Sequence, residues 1–405
     1  MIKSRGKWRK ALGKGRAMEE NRPVEPEEPK KPVKRKRLPR QLRMAVAAVV
    51  TVALILLAML TYMYRDYLTK EGLRSLFGES GTDHTGEEAF SYEAGAKQTF
   101  ALAGNGLAIA STTGLQLLDE NGYSAARQVF SMTEPSVAAS PVHAAFFDLG
   151  GTALRVADLK GQCTTLDTTE PIVSVSMNAS GWMAVCTEEL GYKGCVTVYN
   201  AQLKPVYRWH SGTGWLLKAE ISPDCTRLAA LCVQSDGGAI RFFALDSEDE
   251  QGAFLAPDEL LVDIAFTGGR VCTISETNLY FMDTSGGDVK SFEFGGGYLS
   301  EYTLSGSDFA VVYLSNYRGG GGGELISVDV SGKELGRAEI QSDITSLSVY
   351  SKGVAVCLPN GLEKYSRTMS LQGQSDEITG VKYILCRDKG DILLISSYGT
   401  ELTDF

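Results

Sequence analysis

The stretch ISPDCTRLAAL (221–231), followed by GAIRFFALD (238–246), decides the fold. It reads as the end of one strand, a tight Ser-Pro-Asp turn, a strand of small apolar residues, a short loop, and a strand closing on Asp246. VSMNASGWMAVC (175–186) with GCVTVYN (194–200), and IAFTGGRVCTIS (264–275) with NLYFMD (278–283), repeat the outline. Strand-turn-strand units at a period near forty residues indicate a β-propeller.

The turn after each third strand serves as a ruler. Its marks are Asp119, Asp158, Asn200, Asp246, Asp283, Asp329, Ser366 and Gly399, separated by 39, 42, 46, 37, 46, 37 and 33 residues. Eight four-stranded blades follow. Seven is the alternative count, because the strand at 370–376 and the final unit are weak.

That final unit offers three strands, ITGVKYIL, GDILLISS and TELTDF, before Phe405, while AFSYEAG (89–95) has no sheet of its own. A propeller removes exposed edges by borrowing a strand from the other terminus. The sequence therefore predicts that residues near Phe90 to Tyr92 form the outer strand of the last blade.

Ahead of this domain, Met44 to Tyr64 is a run of 21 uncharged residues. At about 1.5 Å per helical residue it matches a bilayer's hydrocarbon thickness, so a transmembrane helix is expected at 44–64. Residues 29–43 hold eight Lys and Arg and no acid, while 65–79 mix Arg65, Lys70 and Arg74 with acids. By the positive-inside rule the N-terminus is cytoplasmic and the large domain extracytoplasmic. A cleaved signal peptide is the alternative, but the basic region is 43 residues long and no small-residue cleavage site follows the run.

The expected organisation is a disordered basic tail (1–43), the membrane helix (44–64), a juxtamembrane helix with an acidic linker (65–88), and the propeller (89–405). Pro23, Pro26, Pro29 and Pro32 punctuate the tail, which has little to bury. The tail carries a net charge of +11 and the remainder −20, together the −9 of the chain. Lys34, Arg35, Lys36, Arg37, Arg40 and Arg43 suit anionic lipid headgroups, at about 1 kcal/mol per cation near the surface. An acidic outer domain argues against nucleic acid as a partner.

The Ser222, Pro223, Asp224, Leu228 and Ala229 positions resemble the S-P-D-G-x-x-L-A turn of WD40-like and TolB-like propellers, with Cys225 where those have glycine. By layout the chain resembles uncharacterised bacterial single-span membrane proteins with an extracytoplasmic WD40-like or quinoprotein-like propeller. That resemblance covers residues 89–405 and implies architecture, since propellers host many functions.

Enzymatic readings lack their residues. The tryptophan docking repeat of quinoprotein dehydrogenases is missing, since Trp182, Trp209 and Trp215 stand at unlike positions. Histidines number only three, His84, His143 and His210, and no HExxH or paired CxxC is present. Neither catalytic residues, a cofactor nor a metal are expected. Cys186, Cys232, Cys272 and Cys357 recur in second strands and read as buried apolar residues that do not face one another. Cys186 and Cys195 form the one candidate disulfide.

Loop length supplies the site hypothesis. First-to-second and third-to-fourth turns share one face of a blade, and they are short: NASG, SPDC, TGG, SKG, DENG, DLKG. The other face receives TEELGYKG, QSDGG, SNYRGGGGG and the connection WHSGTGW. The candidate ligand face is Tyr192, Trp209, His210, Trp215, Tyr317 and Arg318, with Trp209 and Trp215 alternatively wedged between blades. The glycine run 319–323 lacks the G-K-[ST] of a phosphate loop and reads as a hairpin loop. The expected function is non-catalytic binding of a protein or cell-envelope polymer. The alternatives are a structural subunit of a membrane complex and a hydrolase or lyase using carboxylates at the channel.

Overall fold

A computed structural model describes residues 90–92, 97–376, 378–387, 390–397 and 399–403, all within the unit Thr69–Phe405. The basic tail with its lipid-facing cations, the apolar run 44–64 and the segment 65–88 lie outside the described residues. Among the described residues no helix is long and apolar enough to cross a membrane.

The described chain is all β and forms eight four-stranded antiparallel sheets. Numbered in chain order, blades 1 to 7 span residues 99–129, 135–165, 172–210, 215–257, 261–293, 298–340 and 346–375. Blade 8 contains Tyr383–Cys386, Ile392–Ile395 and Gly399–Thr403, and its fourth strand is Phe90–Ser91. Phe90 pairs with Thr400 and Ser91 with Gly399, so the predicted closing strand is present and the count is eight. The Tyr92 hydroxyl adds bonds to the carbonyls of Ser396 (2.5 Å) and Gly399 (3.1 Å).

The ruler turns owe their regularity to one device. The side-chain oxygen of Asp119, Asp158, Asn200, Asp283 or Asp329 accepts the N–H groups two and four residues onward, at 2.8–3.0 Å. Ser366 Oγ accepts Ser370 N–H at 3.1 Å in the same way. Two marks behave differently. Asp246 lies in a longer turn in which Ser247 Oγ takes the Asp249 N–H, and Gly399 opens the third strand of blade 8 instead of following it.

The core is divided into eight apolar clusters, one between each pair of neighbouring blades, including blades 8 and 1. Second strands are therefore covered on both faces. In Arg227–Gln234, Leu228, Ala230 and Cys232 meet blade 3, while Ala229 and Leu231 meet blade 5. Double coverage explains why these strands read as unbroken apolar runs and not as alternating ones.

All eight cysteines are free thiols. The candidate Cys186–Cys195 bridge is absent because Cys186 pairs with Val196 and Cys195 with Thr187, which turns the two side chains to opposite faces. Cys186, Cys232, Cys272 and Cys357 are buried, as expected of apolar fillers. Yet Cys232 is one residue out of phase with Cys186, so both enter the wedge between blades 3 and 4. Burial pushes the Cys186 thiol up to about 12 and the Cys232 thiol to about 11, which keeps them protonated and inert.

Candidate functional site

Antiparallel order sends every second-to-third loop and every blade-to-blade connection to one end of the propeller. QSDGG proves shorter than expected there, since pairing continues to Gln234–Gly237. The prominent features are the loop 188–194 of blade 3, the connection 211–214, and the loop 316–322 of blade 6.

The first two are bound together through the main chain. Lys193 N–H donates to Ser211 O at 2.7 Å, Leu216 N–H to Lys193 O at 3.0 Å, and Ser211 N–H to Gly194 O at 2.8 Å. Gly194 has a φ of +138°, and a Cβ there would stand 2.7 Å from Leu216 Cβ, so the close approach requires glycine. The result is a fixed platform at the junction of blades 3 and 4.

Three of the six sequence-predicted residues meet on this platform. Tyr192 stacks on His210 with ring centroids 4.7 Å apart, and the Lys193 ammonium lies 4.2 Å from the centre of the Trp215 ring. Trp215 is 58% exposed, Tyr192 51%, and neighbouring Leu190 91%, so an apolar, aromatic rim faces solvent. Trp209 is not part of it. Trp209 pairs with Val196 where His210 pairs with Cys195, so it turns to the opposite face and packs on Phe243 in the inter-blade wedge. Trp209 thus wedges between blades 3 and 4, whereas Trp215 is exposed.

Tyr317 and Arg318 belong to blade 6. Tyr317 is exposed, and its loop is latched to the next connection by Gly321 N–H, which donates to Asp343 Oδ1 at 2.7 Å. Directly after the glycines the chain enters the strand Gly323–Asp329, as expected of a hairpin loop.

Beneath the rim lies a polar cluster that motif reading missed. Glu189, Cys195 and His210 each bring a donor atom, an oxygen, a sulfur and a nitrogen, within 4.8 Å of one another. Arg208 bridges two of them, with Nε donating to Cys195 Sγ at 3.1 Å and Nη2 to Glu189 Oε2 at 3.0 Å. The Cys195 bond leads in raising Arg208 above the ordinary guanidinium value, so this cation is permanent. A groove of about 590 Å³ on blade 3 also borrows Arg208, together with Asp167, Glu170, Thr187, Tyr199 and Tyr207.

Two carboxylates on the first strands of blades 4 and 5 share one lysine. Lys218 contacts Glu220 at 3.0 Å and Asp263 at 2.8 Å, and donates to Ile264 O at 3.2 Å. Such a network balances buried charge.

Comparison with solved structures shows the fold. The C-terminal WD40 domain of Sif2 is similar at 13% identity with a TM-score of 0.57, covering 79% of this chain and 97% of that one. The computationally designed Ika8 protein is similar at 12% identity and a TM-score of 0.58, covering 79% and 100%. No curated protein matches the chain. A family model described as "Family of unknown function (DUF5711)" matches residues 83–397.

Proposed function

We propose, for a chain that belongs to the DUF5711 family of unknown function, a role as a membrane-anchored binding module. Residues 44–64 span the cell membrane with the N-terminus cytoplasmic, and the tail cations from Lys34 to Arg43 rest on anionic lipid. The propeller is displayed outside, where it captures a protein or an envelope polymer without catalysis.

The observation that carries this reading is the exposed rim of Leu190, Tyr192 and Trp215 on a backbone-braced platform beside the blade 3 groove. Large aromatic side chains displayed on a rigid base lose little entropy on docking and are typical anchors of interfaces. Arg208 and Lys193 add fixed cations beside the aromatic surface, a pairing suited to acidic or carbohydrate-bearing ligands.

Photo-crosslinking of the full chain in intact membranes tests it. A crosslinking residue at Leu190 should capture a defined partner, and Tyr192→Ala with Trp215→Ala should abolish the adduct while the thermal melt stays unchanged. The same probe at Tyr123, exposed on the short-turn end of blade 1, should capture nothing. Equal capture from both sites, or capture indifferent to the two alanines, removes the ligand face.

A further inference from the structure

We infer that Glu189, Cys195 and His210 form a binding site for a borderline-soft divalent cation of the zinc type. The site lies beneath the aromatic rim but does not depend on the rim having a partner.

The three donors reach one point from differently fixed pieces of backbone. Cys195 and His210 are direct cross-strand partners, so their side chains leave the same face of the sheet side by side. Glu189 comes from the loop above, whose turn is closed by Tyr192 N–H donating to Glu189 O at 3.1 Å. Bonds of about 2.0–2.3 Å place the ligands of a tetrahedral site about 3.3–3.8 Å apart. The observed 4.8 Å span therefore closes with a shift of about 1 Å, within reach of a glutamate on a surface loop.

The surrounding groups act as an outer shell. Tyr192 packs against the imidazole ring and orients it, leaving the nitrogens at the ring edge for coordination. Arg208 occupies Glu189 Oε2 and one side of Cys195 Sγ, so Oε1 and the remaining sulfur lone pairs stay available. Donors to a thiolate and a carboxylate hold the ligands in place and are a regular part of metal sites. Thiolate, carboxylate and Arg208 together leave a dication with modest net positive charge. On binding, the Cys195 thiol releases its proton to solvent. Sulfur, imidazole and carboxylate together suit zinc over magnesium or calcium, which prefer oxygen alone. Three protein ligands leave a fourth position for water or for a donor brought by a ligand.

Cobalt(II) titration of the full-length chain decides the matter. One equivalent should bind with a thiolate-to-cobalt charge-transfer band and tetrahedral visible bands, and zinc should displace it. Cys195→Ser should remove the charge-transfer band. His210→Asn and Glu189→Gln should weaken binding by at least about tenfold, and Cys163→Ser, an exposed thiol of blade 2, should change nothing. Should Cys195→Ser fail to fold, the two more accessible variants carry the test. No thiolate band, a band lost with Cys163→Ser, or affinity unchanged by His210→Asn overturns the site. Failure of the crosslinking experiment leaves this titration untouched, and the reverse also holds.

Discussion

Phe90 of the closing strand lies directly on Gly122 of blade 1: a Cβ on that glycine would stand 2.4 Å from Phe90 Cδ1. Gly122 has a φ of +82°, a left-handed conformation suited to glycine. The Arg387 guanidinium covers the same ring at 5.1 Å, and its Nη2 donates to Glu120 O at 3.2 Å. The last blade, the closing strand and the first blade thus meet at one aromatic ring.

Gly122→Ala should push Phe90 out of its seat and cost about 1–3 kcal/mol by overpacking, with a further penalty of about 1–2 kcal/mol for the positive φ. Phe90→Ala should cost about 3–5 kcal/mol. Denaturation followed by circular dichroism measures both, and the double variant should lose less than the sum, because the singles break one contact. Full additivity would show that the two residues are energetically independent.

Cys225→Gly should stabilise the protein. Cys225 stands at φ +60° in the Ser-Pro-Asp turn, a conformation that costs a side-chain-bearing residue about 1–2 kcal/mol. Glycine gives back part of that gain through unfolded-state entropy, which leaves about 0.5–1 kcal/mol. Asn178 Nδ2 loses its 3.1 Å contact with Cys225 Sγ but keeps Ser222 O at 2.9 Å. A lowered melting temperature would mean that the sulfur contact outweighs the backbone strain.

Asp283→Asn should flatten the acid limb of the stability curve. The Ser285 hydroxyl, donating to Asp283 Oδ1 at 2.7 Å, leads in holding this carboxyl below the usual range. A depressed folded value means stability that is present above the unfolded pKa of about 3.9 and lost as pH falls through the folded value. Asparagine keeps the turn without titrating, as Asn200 does with Gln202 and Lys204 N–H at 3.0 Å. At pH 7 the variant should melt below the parent by the contribution of the ionised carboxylate, and the two curves should converge below pH 4. Parallel curves at all pH values would refute the assignment.

Cys163 should be the thiol that reports sidedness. It is exposed, whereas Cys186, Cys195, Cys232, Cys272, Cys357 and Cys386 are buried. A membrane-impermeant maleimide added to intact cells should label the chain, and Cys163→Ser should remove most of that label. Labelling only after the membrane is opened would reverse the proposed topology.

The propeller was legible because its markers are local. An Asp or Asn that caps its own turn works through residues two and four positions away, so the period survives in sequence wherever that device is used. It fails at Asp246, where the turn is longer, and at Gly399, where the last blade takes its fourth strand from the segment ahead of blade 1. The platform was legible only in part. Trp209 and Trp215 look alike in sequence, and strand register decides which one packs between blades. Glu189, Cys195 and His210 carry no motif, because their convergence depends on Cys195 pairing with a residue fifteen positions onward and on a loop folding back above them.

The two-residue closing strand also has a mechanical meaning. The chain that precedes Phe90 delivers any pull to the one seam of the ring that is joined by hydrogen bonds and packing instead of a continuous polypeptide. Tension along that segment would peel Phe90 and Ser91 from Gly399–Thr403 before it reached any other blade. A load applied ahead of Phe90 would therefore open the ring at a single two-residue latch.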